Sequence, residues 1–181
     1  EVFRRVTPDT PLLSKFASSA AHLTGKSLVS SETGTWLDEH FHVSLGVLKG
    51  LLDNLFVSGI NHNVYHGTAY SPADADWPGW LFYASTQLNP QNTIWRDVAK
   101  LNAYVTRCQS VLQDGRPDAD LLVYFPLHDI LRDPDRAPAE KLHIQGDWLK
   151  ESPAMDTYRW LWNRGYEFDY ISDRQIAEIK V

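Results

Sequence analysis

The chain has a single cysteine, Cys108, among 181 residues, which excludes an internal disulfide and leaves the redox compartment unmarked. No run of Lys or Arg in it forms an electrostatic footprint. Its 17 basic residues are dispersed against 23 acidic ones, and the net charge of −6 argues against non-specific affinity for nucleic acid or anionic lipid. No apolar run reaches the length of a membrane span, no stretch has the make-up of a signal peptide, and no repeat or low-complexity segment interrupts the chain. The first residue is Glu1 rather than Met, so a processed protein or a piece of a larger one is expected.

What is present is globular material with a distinctive aromatic load. Hydrophobic residues make up 43% and charged ones 22%, enough apolar surface for a real core. Seven Trp and eight Tyr are many for this length, and several fall in stretches that read as loops. Flat aromatic faces are what the C–H-rich sides of sugar rings stack against.

Periodicity orders the chain as helix, strand, loop, helix, strand. Asp9, Thr10 and Pro11 carry helix-start chemistry, Leu12, Leu13, Phe16, Ala20 and Leu23 recur at helical spacing, and Gly25 is a stop. KSLVSSE reads as a short strand, residues 44–59 as a helix with Ser44 as cap and Gly59 as stop, and INHNVYHG as a second strand. Strands separated by helices of this length predict parallel α/β packing. A loop rich in Pro, Trp and Tyr follows (residues 68–92), long enough to suggest a functional role, and then a helix from about 93 to 114. Asp114, Gly115, Arg116 and Pro117 mark a boundary. Beyond it come a continuous apolar run of buried-strand type (119–126), a polar connection, a helix over 152–165 and a strand in YEFDYISD.

In parallel α/β folds, ligands and catalytic groups gather at the C-terminal ends of strands. Glu32 sits there in SLVSSETGTW, with Thr33, Gly34, Thr35 and Trp36 supplying a tight turn, hydroxyls and an aromatic face. The bland reading is a solvated Glu capping a turn; the sharper one is a carboxylate facing a polyol. Asp38 and Glu39, further along, read as solvated or capping. His40, His42, His62 and His66 form a second group, and the spacing of His62 and His66 puts them on one face of a strand. They would either join a loop His around a metal or act as neutral hydrogen-bonding groups. DADWPGW offers Trp77 and Trp80 as a sugar platform or a rim cover, and Asp74 and Asp76 as solvated acids or calcium ligands. Arg96, Arg107 and Cys108 read as packing and surface positions of the long helix, and MDTYRWLW as a core stripe.

The Ser-Ser-Glu strand end, NHNVYHGTAYSP, WPGWLFYAS and LNAYVTRCQS together resemble the C-terminal catalytic region of glycoside hydrolase family 106, the α-L-rhamnosidases, over roughly residues 27–130 and more weakly to the end. The resemblance implies a (β/α)8 barrel of TIM type that hydrolyses terminal α-L-rhamnose with inversion, is calcium-dependent, and acts on rhamnose-containing oligo- or polysaccharides in the bacterial periplasm or outside the cell. On that frame residues 27–31 look like the seventh strand and 60–66 like the eighth. Glu32 then matches a catalytic carboxylate, with Trp36, His40, Asn61, His62, His66, Trp77 and Trp80 as substrate-binding candidates. Residues 1–116 would be the last portion of the barrel, and 117–181 the start of a flavodoxin-like, amidotransferase-type domain.

A complete barrel takes about 250 residues, and Glu1 is the only acid before Asp9. The second carboxylate is therefore expected from the remainder of the same enzyme, and the 181-residue chain alone is expected to be inactive. A non-catalytic carbohydrate-binding or scaffold segment and a His-dependent metallohydrolase are the alternatives.

Overall fold

The structure, a computed structural model, describes residues 10–37, 39–132, 152 and 154–178. Asp9, Asp38, Pro153 and residues 133–148 of the expected polar connection lie outside the described residues. The described chain divides into two units, one running from Leu28 to Arg116, the other joining the residues up to Ser27 with those from Pro117 onward.

In the first unit, Ser44 caps helix α2 (Leu45–Val57) by accepting a hydrogen bond from the Val47 N–H. Leu48, Leu51, Leu52 and Leu55 then fall on one side of the helix and are all buried. Each such side chain contributes about 1.5–3 kcal/mol relative to exposure. Helix α3 (Trp95–Asp114) turns Val98, Leu101 and Val105 to a core shared with Leu48 and Leu52, which Val43 and Leu88 complete. Strands β1 (Ser30–Thr33) and β2 (His62–Tyr65) pair in parallel, with Ser30 opposite His62 and Glu32 opposite Val64.

The two faces of this strand pair differ. Ser31 and Thr33 are buried, Tyr65 packs against the helical core, and its hydroxyl donates to Asn102 of α3 at 3.1 Å. The backbone N–H of Asn63 reaches Gln109 of α3 at 2.7 Å. Ser30, Glu32, His62 and Val64 occupy the other face and are exposed. Parallel strands normally have both faces covered.

In the second unit, β3 (Leu121–Tyr124) pairs in parallel with β4 (Phe168–Ile171), and α1 (Thr10–Leu23) packs on β4. Two six-residue helices, α4 (Leu127–Arg132) and α6 (Asp173–Glu178), bracket α5 (Met155–Asn163) in chain order. α5 buries Met155, Tyr158 and Leu161, the core stripe expected of MDTYRWLW, against Leu12, Phe125, Phe168 and Tyr170. The apolar stripe of α1 is buried in part, with Leu12 in the core and Leu13 and Phe16 packed against it, but polar residues share the buried side. Lys15, Ser18 and Ser19 are buried, while Ala20 is exposed. The Lys15 ammonium meets Glu167 at 2.6 Å and lies over the Phe168 ring.

Burial pushes the phenols of Tyr158 and Tyr170 above their ordinary value of 10.0, helped by Tyr124 beside the first and Tyr158 beside the second. The folded state therefore holds these protons more tightly than the unfolded chain. The stabilisation is complete below about pH 10 and is lost as pH rises beyond it. Tyr158 donates its hydroxyl to the Tyr124 carbonyl, whereas the buried Tyr170 hydroxyl has no partner among the described residues. Tyr170→Phe is expected to leave stability at neutral pH unchanged or raise it by about 1 kcal/mol. It should also flatten the fall above pH 10 in urea denaturation midpoints; an unchanged alkaline slope would contradict this assignment.

Candidate active site

β1 ends in Glu32 and Thr33, Gly34 turns the chain at φ 86°, and the Thr35 hydroxyl comes back to Glu32 Oε1 at 3.2 Å. β2 runs alongside, and its ladder continues one step past Tyr65 through the His66 N–H to the Thr33 carbonyl at 2.8 Å. This register brings His66 Nδ1 to 2.8 Å from Thr35 Oγ1 and 3.2 Å from Glu32 Oε1. The three side chains come from the ends of two parallel strands and the turn after the first. Thr35 is buried, while the side chains of Glu32 and His66 are 46% and 31% exposed, so the carboxylate is reachable from outside. The Phe82 ring meets the His66 ring edge-on at 5.2 Å.

Phe82 belongs to the aromatic loop that follows β2, which carries further exposed rings. Trp77 and Trp80 are 72% and 62% exposed, and Phe41 stacks on Trp77 at 5.8 Å. Tyr70 and Tyr83 add further exposed rings. Gly79 holds this loop at φ 81°, where an added Cβ would lie 2.5 Å from Ser71 Oγ, the atom that accepts the Trp80 N–H at 2.7 Å. Gly79→Ala is therefore expected to cost the loop about 1–2 kcal/mol and to speed exchange of the Trp80 amide. Unaltered protection of that amide would show the turn does not depend on Gly79.

Gln87, fully buried, uses both amide hydrogens: one to the Phe82 carbonyl at 2.8 Å, one to His40 Nδ1 at 3.1 Å. With Nδ1 accepting, the neutral His40 ring carries its hydrogen on Nε2.

The sequence candidates thus separate. Glu32 and His66 lie 3.2 Å apart, and His62 shares their face four residues before His66. Trp36 does not stand free: it packs against the helical core and its indole N–H donates to the Glu39 carbonyl at 3.1 Å. Asn61 is buried at the start of β2, the opposite strand end from His66, where its side-chain oxygen accepts the Val29 N–H at 2.9 Å. The bonds of Gln87 and the Phe82 contact carried no signal in spacing or motif. Among the described residues, no group of three or more His, Cys, Asp or Glu is placed to hold a metal ion, and Asp74 and Asp76 are both exposed. Neither these two acids nor the histidines of β2 therefore form a group of three such ligands.

The family model for glycoside hydrolase family 106, alpha-L-rhamnosidase, matches residues 12–179. The chain belongs to glycoside hydrolase family 106. A glycan substrate follows for the family. The chain is also similar to a solved rhamnosidase from Novosphingobium sp. PP1Y, at TM-score 0.61 and 24% identity over 98% of this chain, which shows a common fold. A curated relative from Formosa agariphila, named "Putative beta-glucuronidase", is 38% identical over 115 residues, 61% of this chain. The chain spans 9% of that relative's length and 16% of the solved rhamnosidase chain. Both proteins are several times longer. Among the described residues, no helix is long and apolar enough to cross a membrane.

Proposed function

We propose that the first unit is the closing portion of a (β/α)8 glycosidase barrel, and that Glu32 is one of two catalytic carboxylates of an inverting α-L-rhamnosidase acting on rhamnose-containing glycans. The observation that carries this reading is the site of Glu32. It lies at the C-terminal end of a parallel strand, on the uncovered face, joined to His66 from the neighbouring strand. A parallel pair with helices on one face and an acid on the other is the local pattern of a barrel whose interior faces the substrate.

Inversion needs one carboxyl group to protonate the leaving oxygen and one carboxylate to activate water on the opposite side of the sugar ring. Glu32 suits either half, because its side chain is accessible and, among the described residues, is met by Thr35 and His66 at one oxygen, Oε1. Its partner would come from an earlier strand of the longer protein. Trp77, stacked on Phe41, and Trp80, both exposed, would stack on the glycan. His40, with hydrogen on Nε2, would donate to a sugar hydroxyl. A calcium ion, as the family resemblance implies, would take at least part of its carboxylate ligands from residues other than those described. The second unit, with β3 and β4 parallel and α1 packed on β4, suits a flavodoxin-like accessory domain. The deciding experiment is the Glu32→Gln variant of the full-length protein assayed on an aryl α-L-rhamnoside. Undiminished turnover would overturn the reading.

A further inference from the structure

We propose that Thr35 and His66 form a positioning relay for Glu32, an inference that rests on Glu32 being a catalytic carboxylate. The Thr35 hydroxyl has one hydrogen and two lone pairs, and two neighbours within bonding distance: Glu32 Oε1 at 3.2 Å and His66 Nδ1 at 2.8 Å. An ionised carboxylate only accepts. The hydroxyl hydrogen therefore goes to Glu32, and Thr35 Oγ1 must accept from His66 Nδ1–H. The opposite tautomer would set the Nδ1 lone pair against Glu32 Oε1 at 3.2 Å with no hydrogen between them. The chain of donors thus runs from His66 through Thr35 to Glu32 and fixes the imidazole in its Nδ1–H form.

Each member is held by a different part of the unit. Thr35 is buried in the turn after Gly34, His66 is registered to Thr33 by the strand ladder, and the Phe82 ring limits rotation of the imidazole. The carboxylate itself is half-exposed and would otherwise sample several rotamers. Holding one oxygen leaves Oε2 as the atom presented to the reacting proton. Thr35 and His66 touch no reacting atom in this scheme; they act through Glu32, by orienting it.

The test compares Thr35→Val, which keeps the shape and deletes the hydroxyl, with Thr35→Ser, which restores it, in the full-length protein on an aryl α-L-rhamnoside. The expected result is a fall in kcat of roughly ten- to a hundredfold for Thr35→Val, the loss of a hydrogen bond to a charged group. KM should hardly change, and Thr35→Ser should recover most of the rate. His66→Phe should reproduce the fall, and His66→Asn, whose amide N–H can stand in for Nδ1–H, should recover part of it. Calorimetric titration with rhamnose checks that each variant is folded. If Thr35→Val fails to bind rhamnose, the His66 pair decides. A Thr35→Val enzyme with normal kcat, or a Ser variant as impaired as Val, overturns the relay while an inactive Glu32→Gln enzyme leaves the catalytic reading standing. Normal turnover by Glu32→Gln removes both.

Discussion

Glu32→Gln in the full-length protein is expected to lower kcat on an aryl α-L-rhamnoside by roughly 10²–10⁴-fold, the usual share of a general acid or base. The substitution is close to isosteric. Its amide oxygen can still accept from the Thr35 hydroxyl, now bonded to Glu32 Oε1, so the turn after β1 is retained. The Glu32 side chain is half-exposed, which keeps the cost to folding small, within about 0.5 kcal/mol for an ordinary surface position. What the amide lacks is a proton that can be taken up or released. Rhamnose affinity by calorimetry should therefore stay near that of the parent while turnover collapses. Loss of binding in step with loss of rate would instead make Glu32 a substrate ligand, and a near-normal rate would remove it from the mechanism.

The second large effect is on stability and lies in the other unit. Asp169, buried on β4, accepts from Ser19 Oγ at 3.0 Å and meets His22 Nδ1 at 3.0 and 2.9 Å through its two oxygens. Ser19 Oγ in turn accepts the Tyr170 N–H at 2.9 Å. One carboxylate thus joins α1 to the strand it packs on. Asp169→Ala would leave a buried hydroxyl and a largely buried imidazole without their partner, and the expected loss is about 3–5 kcal/mol. Against a typical domain stability of about 5–15 kcal/mol, that is enough to release α1 at modest denaturant. Asp169→Asn keeps an acceptor in the same place and should cost much less. Urea denaturation, with amide exchange read separately in α1 and β4, would check both. Unchanged protection of α1 in Asp169→Ala would mean that apolar packing alone holds the helix.

Much of the element order was legible because it depends on neighbours in sequence. Ser44 and the four leucines of α2 declare a capped amphipathic helix, and the stops at Gly25 and Gly59 are observed at φ 70° and 87°. Expected strands shrink to four residues each, because ladder pairing ends where the partner strand ends. α4 and α6, at six residues, are too short to display a period. The apolar run at β3 reads as buried on both faces. Yet Leu121, Leu122 and Tyr124 are exposed, since β4 flanks the strand on one side and the described residues leave much of its surface uncovered.

The site was half legible. Glu32 stands out by its place at a strand end, and the alternation in β2 puts His62 and His66 on one face. Thr35 is visible as a hydroxyl in a turn, but its partner lies 31 residues away. Asn61 looks like a ligand group in INHNVYHG, yet its amide is spent on the Val29 backbone. In α1 the apolar period points correctly to Leu12, Leu13 and Phe16, but it gives no sign that Lys15 and Ser19 are also buried, because their acceptors are 152 and 150 residues further on.

The sequence by itself determined the parallel α/β character, the Ser44 cap and the glycine stops, the family and the acid at the end of the first strand. These follow from local propensity, periodicity and motif, each contained in a short window. Only the tertiary structure decided that α1 packs with β4, and that His66 and Thr35 meet at Glu32. Burying a polar or charged side chain is tolerated only where its hydrogen-bond partners are supplied. For Lys15, Ser19, Thr35 and Asp169, those partners arrive from distant parts of the chain.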